Sequence, residues 1–153
     1  MRPFLDTNVL VYAATADDPH RQVVAQQLLV NLGLPHITIS TQVLAEAYNV
    51  LTHKKRWVVA DALQAVHSFK AMRIVVLGAD AVLAALELAA THRLSTWDAM
   101  IIHAARDAGC DTLFSEDLQN GRRFGALEVV NPFLLAAHEA SDMGYAAAPP
   151  KPA

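Results

Sequence analysis

The sequence predicts an α/β fold, a three-layer α/β/α sandwich around a central parallel sheet of four to five strands. Three observations predict it. Short apolar, β-branched segments alternate with longer stretches of helical periodicity. One short segment, Arg73–Leu77, is apolar after its first residue, as strands buried on both faces of a parallel sheet are. Two others, Pro3-Phe4-Leu5 and Thr112-Leu113-Phe114, stop abruptly at polar residues that include a carboxylate. In open α/β sheets that is where ligand chemistry gathers.

Taken in order, the first strand ends at Asp6-Thr7-Asn8, and Val9, Leu10 and Tyr12 start a helix. Asp17-Asp18-Pro19 opens the next helix, with acids in the cap region and proline in the first turn; it runs through Val23, Val24, Leu28 and Leu29 to Gly33-Leu34-Pro35. His36–Ser40 alternates and is β-branched, a second strand. Ser40 or Thr41 caps a helix carrying Val43, Leu44, Ala47, Val50 and Leu51, which ends in the cations Lys54-Lys55-Arg56. A helix over Trp57–Met72, the strand Arg73–Leu77 and an Ala/Leu-rich helix over Ala79–Leu94 follow. Ser95-Thr96-Trp97-Asp98 has the form of a capping box and opens a helix reaching Gly109, with Trp97 expected to pack inward. Asp111–Phe114 and Leu127–Val130 are the last strands. The packed domain is expected over residues 1–140. The Ala/Pro-rich stretch 141–153 lacks an apolar pattern and is expected to be a disordered tail.

With 153 residues the chain is long enough for one domain with a real core. Its composition, 54% hydrophobic and 18% charged, is apolar enough to suggest a face covered by another copy or another chain. The formal net charge of −3 excludes a basic protein whose whole surface attracts nucleic acid, so any basic surface must be local. A lone cysteine, Cys110, permits no internal disulfide and fits a reducing compartment. The N-terminal apolar run is broken by Asp6, unlike a signal peptide, and no apolar run approaches the ~20 residues of a membrane span. A cytoplasmic location is expected.

Four carboxylates stand out, each with an ordinary reading beside a chemical one. Asp6 is either a helix cap or a group delivered to the sheet edge by its strand. Asp117 repeats that placement after the fourth strand, and Asp-x-x-Asn-Gly also suits a plain polar turn. Asp98 opens a helix, where the dipole favours an acid. Glu46 sits mid-helix among Val43, Leu44, Ala45, Ala47 and Val50; it is either a surface acid or one that needs a partner or a metal. The seven histidines show no ligand spacing, and no glycine-rich phosphate loop is present. Oxygen ligation by Asp6, Asp98, Asp117 and Glu46, the last directly or through a water, is hard-cation chemistry, Mg²⁺ or Mn²⁺. Two basic clusters could track a phosphate backbone: Lys54-Lys55-Arg56, and Arg122-Arg123 close to Asp117.

Four segments together resemble the motifs of PIN-domain nucleases: Phe4–Tyr12, Ser40–Glu46, Leu94–Ile101 and Leu113–Gly121. Val129-Val130-Asn131-Pro132-Phe133 is similar to a common ending of bacterial members, so the resemblance spans roughly residues 1–135. It implies a PIN-like fold and a VapC-type toxin: a Mg²⁺-dependent endoribonuclease silenced by a cognate VapB-type antitoxin. It implies, further, that Asp6, Glu46, Asp98 and Asp117 form the acidic metal site, supported by Asn8 and Ser115, with Thr7-Asn8 as the turn that holds Asp6. Glu116 competes with Asp117 for the last position, and the Ser-x-Asp register selects Asp117. Homodimerisation is the family habit, and the apolar helices at 57–69 and 81–90 are its expected seats. A haloacid-dehalogenase-like phosphatase is disfavoured because its second aspartate would fall at Asn8. A receiver domain is disfavoured because Gly78-Ala79 follow the central strand. The remaining rival is a non-catalytic PIN-fold module that binds protein or RNA.

Overall fold

The computed structural model describes residues 1–134. The tail expected over residues 141–153, and the domain boundary near residue 140, lie outside the described residues. Within them the chain is a mixed α/β sandwich whose sheet has the order β3-β2-β1-β4-β6-β5. The strands are β1 (Pro3–Leu5), β2 (Thr38–Ser40), β3 (Arg73–Val75), β4 (Thr112–Phe114), β5 (Arg123–Phe124) and β6 (Leu127–Val130). All pairings are parallel except β5 with β6. The five parallel strands are those the sequence predicts. The sixth, β5, departs from that expectation: two residues of the presumed basic loop turn back at Gly125 and pair antiparallel with β6, Arg123 opposite Glu128.

β1 lies near the middle, and its flanking strands show why the chemistry collects at its end. The chain builds outward from β1 to β2 and β3, then returns to place β4 on the other side of β1. A parallel sheet that reverses its winding in this way opens a crevice at the carboxyl ends of the two strands. The core is filled from both faces of these strands: Phe4, Leu5, Ile37, Ile39, Leu113 and Val129 are fully enclosed. β3 corrects the reading of Arg73–Leu77 as a doubly buried strand. It is the edge strand, it stops at Val75, and Val76 beyond it is 74% exposed.

Among the described residues six α-helices flank the sheet: α1 (Thr7–Ala14), α2 (Pro19–Leu32), α3 (Thr41–Asn49), α4 (Val59–Ser68), α5 (Ala79–His92) and α6 (Thr96–Asp107). Each begins within a few residues of its predicted start. α1 starts two residues early, directly after Asp6, because Asp6 itself occupies the cap position. α2 is capped by the Asp18 side chain, which accepts the Arg21 N–H, and carries Pro19 in its first turn. Ser40 stands at the α3 cap without making a capping bond, and α3 continues as a wide π turn over Val50–Lys54. Arg56 then takes a left-handed conformation (φ 59°), so the helix expected from Trp57 begins at Val59. Among the described residues no helix is long and apolar enough to cross a membrane.

Because Leu113 is fully enclosed on the second central strand, Leu113→Ala is expected to cost about 2–5 kcal/mol of stability, mostly cavity formation. Urea unfolding checks it. A loss under 1 kcal/mol would contradict the central placement of β4.

Candidate active site: four carboxylates around one cleft

Asp6 and Ser115 are brought together by backbone pairing alone. β1 and β4 run in register with Leu5 opposite Phe114, so the residue after each strand meets its counterpart. The Asp6 amide donates to the Phe114 carbonyl at 3.0 Å, and the Ser115 hydroxyl donates to Asp6 Oδ2 at 2.7 Å. The other carboxylate oxygen, Oδ1, accepts the Thr7 N–H at 2.7 Å. Asp6 is therefore both of the things its position suggests: it caps α1, and it presents a carboxylate at the sheet edge.

From Asp6 the polar network spreads to the other acids. The Thr7 hydroxyl donates to Glu46 Oε2 at 2.6 Å, and Gln42, one turn earlier on α3, donates to Glu46 Oε1 at 2.8 Å. The same Gln42 amide donates to the Trp97 carbonyl at 3.1 Å, tying α3 to the first turn of α6. Asn8 Nδ2 donates to Asp117 Oδ2 at 3.1 Å, and the Asp117 amide donates to the Ser115 hydroxyl at 3.2 Å. Asp98 enters from α6, its own N–H capped by the Ser95 hydroxyl. Asp6, Glu46, Asp98 and Asp117 all line one cleft of about 280 Å³. A larger groove of about 530 Å³ at the start of α4 has, among the described residues, Asp61 as its one ionisable group.

The cleft is electrostatically unbalanced. Among the described residues no lysine or arginine lines it. Burial, with the Asp117 and Glu46 charges adding to it, pushes the Asp6 carboxyl up to about 6 despite the Ser115 and Thr7 hydrogen bonds. Asp117 is also raised, first by burial and then by the charges of Glu116, Asp98 and Glu46. An all-oxygen donor set, partly desolvated and without a countercharge, fits a hard divalent cation. Among the described residues no three such side chains are arranged to ligate one ion as they stand. Protein donors hold Asp6, Glu46 and Asp117 separately.

The two adjacent acids lie in different surroundings. Glu116 turns away from the cleft, accepting hydrogen bonds from the Tyr12 hydroxyl at 2.8 Å and from Arg21 Nε at 3.2 Å. Asp117 lines the cleft. The basic clusters are not brought to it. Lys55 pairs with Asp17, while Lys54 and Arg56 point to solvent. Arg123 pairs with Glu128, and Arg122 stacks over Phe124 at 4.7 Å. Trp97, expected to pack inward, is instead 63% exposed at the lip, since the first turn of α6 sits over the cleft and not over the sheet. Gln42 and Asn49 also line the cleft and carried no role in the sequence reading. The i,i+4 spacing of Gln42 and Glu46 is a signal that could have found the first.

With the fold and site described, comparison with known proteins places the chain. The PIN domain family model matches residues 4–123, and the chain belongs to that family. No curated protein matches it. Among solved structures it is similar to Mycobacterium tuberculosis VapC20, a sarcin–ricin loop cleaving toxin, with a TM-score of 0.63 and 24% identity over 75% of this chain and 91% of that one. It is similar also to a toxin–antitoxin complex from Klebsiella pneumoniae, with a TM-score of 0.63 and 19% identity over 85% and 97%. A third is VapBC2 from Rickettsia felis bound to a promoter DNA fragment, with a TM-score of 0.57 and 21% identity over 84% and 97%. At these identities the likeness establishes the fold.

The raised Asp6 pKa carries a stability consequence whose sign follows from linkage. A carboxyl at about 6 in the fold and near 3.8 when unfolded destabilises the fold wherever it is ionised in both states. That penalty, up to about 3 kcal/mol, is complete above pH 6 and absent below the unfolded value. Asp6→Asn is therefore expected to raise the melting temperature of metal-free protein at pH 8 and to change it little at pH 4. Equal melting temperatures at pH 8 would refute the burial of a charge here.

Proposed function

We propose that this chain is a divalent-metal-dependent endoribonuclease, the toxin of a VapBC-type toxin–antitoxin pair. The observation that carries the proposal is the convergence of Asp6, Glu46, Asp98 and Asp117, from two strand ends and two helices, on one cleft that no lysine or arginine lines among the described residues. PIN domains are in general nucleases, and the structural neighbours include a toxin acting on RNA and toxin–antitoxin complexes.

In this reading Asp6 is the central ligand for Mg²⁺ or Mn²⁺, joined by Asp98 and Asp117, with Glu46 binding directly or through a water. When bound, the cation supplies charge neutralisation at the scissile phosphate and a water acidified toward hydroxide. Everything else is the work of the chain. Ser115 and the Thr7 amide hold Asp6 on one rotamer, and Thr7 and Gln42 do the same for Glu46. Asn8 orients Asp117. The enclosed wall beneath Asp6 lowers the local dielectric, which strengthens every charge interaction in the cleft. Lys54 and Arg56, exposed and without an acidic partner among the described residues, are offered as contacts to RNA phosphates beyond the cleft, and Arg122 as a weaker one. The partner in the resting state is a VapB-type antitoxin, and the setting is the cytoplasm. The alternative, a non-catalytic PIN-fold module, draws on the protein hydrogen bonds that already satisfy three of the acids. Mn²⁺ titration separates the two, because a scaffold has no use for a cation in this cleft.

Two outcomes are expected. Cleavage of RNA with Mg²⁺ or Mn²⁺ should fall at least about 100-fold in Asp6→Asn and in Asp117→Asn, both still folded; wild-type rates in either would sink the nuclease reading. Helix α5 and the segment leading into it leave Val76, Leu83 and Leu86 exposed, and the start of α4 leaves Val58, Val59 and Leu63 exposed. A homodimer that covers such faces should give twice the monomer mass by light scattering at micromolar concentration, and a monomer mass would count against it.

A further inference from the structure

Around Glu116 the structure builds a junction that the metal site does not require for its ligands. Arg21, in the first turn of α2, donates from Nε to Glu116 Oε2 at 3.2 Å and from Nη1 to Asp18 Oδ2 at 3.0 Å. Its guanidinium carbon lies 5.4 Å from the ring centroid of Tyr12 and 5.4 Å from that of Phe133. Those two rings meet edge to face, 5.2 Å apart at 74°. Tyr12 completes the set by donating its hydroxyl to Glu116 Oε1. α1 and α2 thus meet on one carboxylate of the loop after β4, and the turn after β6 packs Phe133 against both of their side chains. The Glu116 side chain is only 16% exposed, unlike a surface ion pair, and both its oxygens are taken.

The position of this junction in the chain gives it a consequence for the cleft. Ser115 is locked by the sheet, its amide donating to the Val130 carbonyl at 3.1 Å. Asp117, two residues on, is exposed; its amide donates to the Ser115 hydroxyl, and among the described residues its carboxylate has one partner, Asn8. Adjacent side chains of this loop leave in different directions, Glu116 toward α1 and α2 and Asp117 into the cleft. A released Glu116 would put a second free acid at the position where one is needed, and would loosen the backbone that carries Asp117. We infer that Arg21, acting with Tyr12 through Glu116, is a positioning residue that turns Asp117 into the cleft and keeps the neighbouring acid out. This rests on the metal-dependent reading proposed above, and it assigns a role in that site to residues that do not line it.

The test measures Mn²⁺ binding by calorimetry, RNA cleavage and thermal melting on wild type, Arg21→Gln, Arg21→Lys, Glu116→Gln and the double variant Arg21→Gln/Glu116→Gln. Arg21→Gln should bind Mn²⁺ about tenfold more weakly and need correspondingly more Mn²⁺ for half-maximal cleavage. Its KM for RNA should be unchanged, and saturating Mn²⁺ should restore its rate. Arg21→Lys keeps the charge but not the fork and should recover part of the affinity. The double variant should be no worse than Arg21→Gln alone, because both changes break one contact. Wild-type Mn²⁺ affinity in Arg21→Gln overturns the inference. So does a rate loss that saturating Mn²⁺ leaves in place and that tracks a lower melting temperature, which is the mark of a purely structural pair. If Arg21→Gln does not fold, Arg21→Lys and Glu116→Gln decide by the same criteria. A wild type that neither binds Mn²⁺ nor cleaves RNA brings down the nuclease reading and this inference together. A wild type that does both, beside an Arg21→Gln of equal affinity, brings down this inference alone.

Discussion

The hydrogen bond from Ser115 to Asp6 is the interaction on which the rest of the site depends. It exists because β1 and β4 pair in parallel with Leu5 opposite Phe114, so that the first residue past each strand faces the other. The same serine oxygen accepts the Asp117 amide, which makes one hydroxyl the hinge between two acids more than a hundred residues apart in sequence. Its environment is fully enclosed, and the bond is correspondingly hard to replace by water. From that point outward, Thr7 and Gln42 fix Glu46, and Asn8 fixes Asp117.

Hydrogen bonding alone does not settle the charge of the cleft. Ser115 and Thr7 both favour ionised Asp6, yet burial outweighs them. Native structures leave such imbalance mainly where something else supplies the balance. The fold tolerates it because the cost sits on a few side chains at the end of a well-packed sheet. Phe4, Leu5 and Leu113, fully enclosed just behind the site, hold the strand ends in place against that repulsion.

Much of this was legible in the sequence because it rests on local pattern. The five parallel strands, the cap at Asp18 and the strand-end placement of Asp6 and Asp117 follow from periodicity and from the residues that punctuate it. What was not legible depends on tertiary neighbours. Arg73–Leu77 is as apolar as a central strand, and only the sheet order shows it at an edge. Trp97 is hydrophobic and was expected inside, but the first turn of α6 overhangs the cleft. Arg123 has Glu128 opposite it across a two-residue hairpin pairing, a neighbour that no local pattern announces. Glu116 and Asp117 cannot be told apart by composition, and their different surroundings depend on Tyr12 and Arg21, which hydrogen-bond Glu116 from two other helices.

The same small strand β5 has a further effect on how copies of the molecule can meet. Sheet edges with free backbone groups invite another strand, and proteins blunt them with short or charged edges. Here one border is a two-residue strand carrying Arg123, and the other is a three-residue strand that begins with Arg73. Neither offers a template long enough for a neighbouring chain to extend the sheet. Among the described residues, any contact between copies would therefore fall to side-chain packing and not to extension of the sheet into an open-ended ribbon.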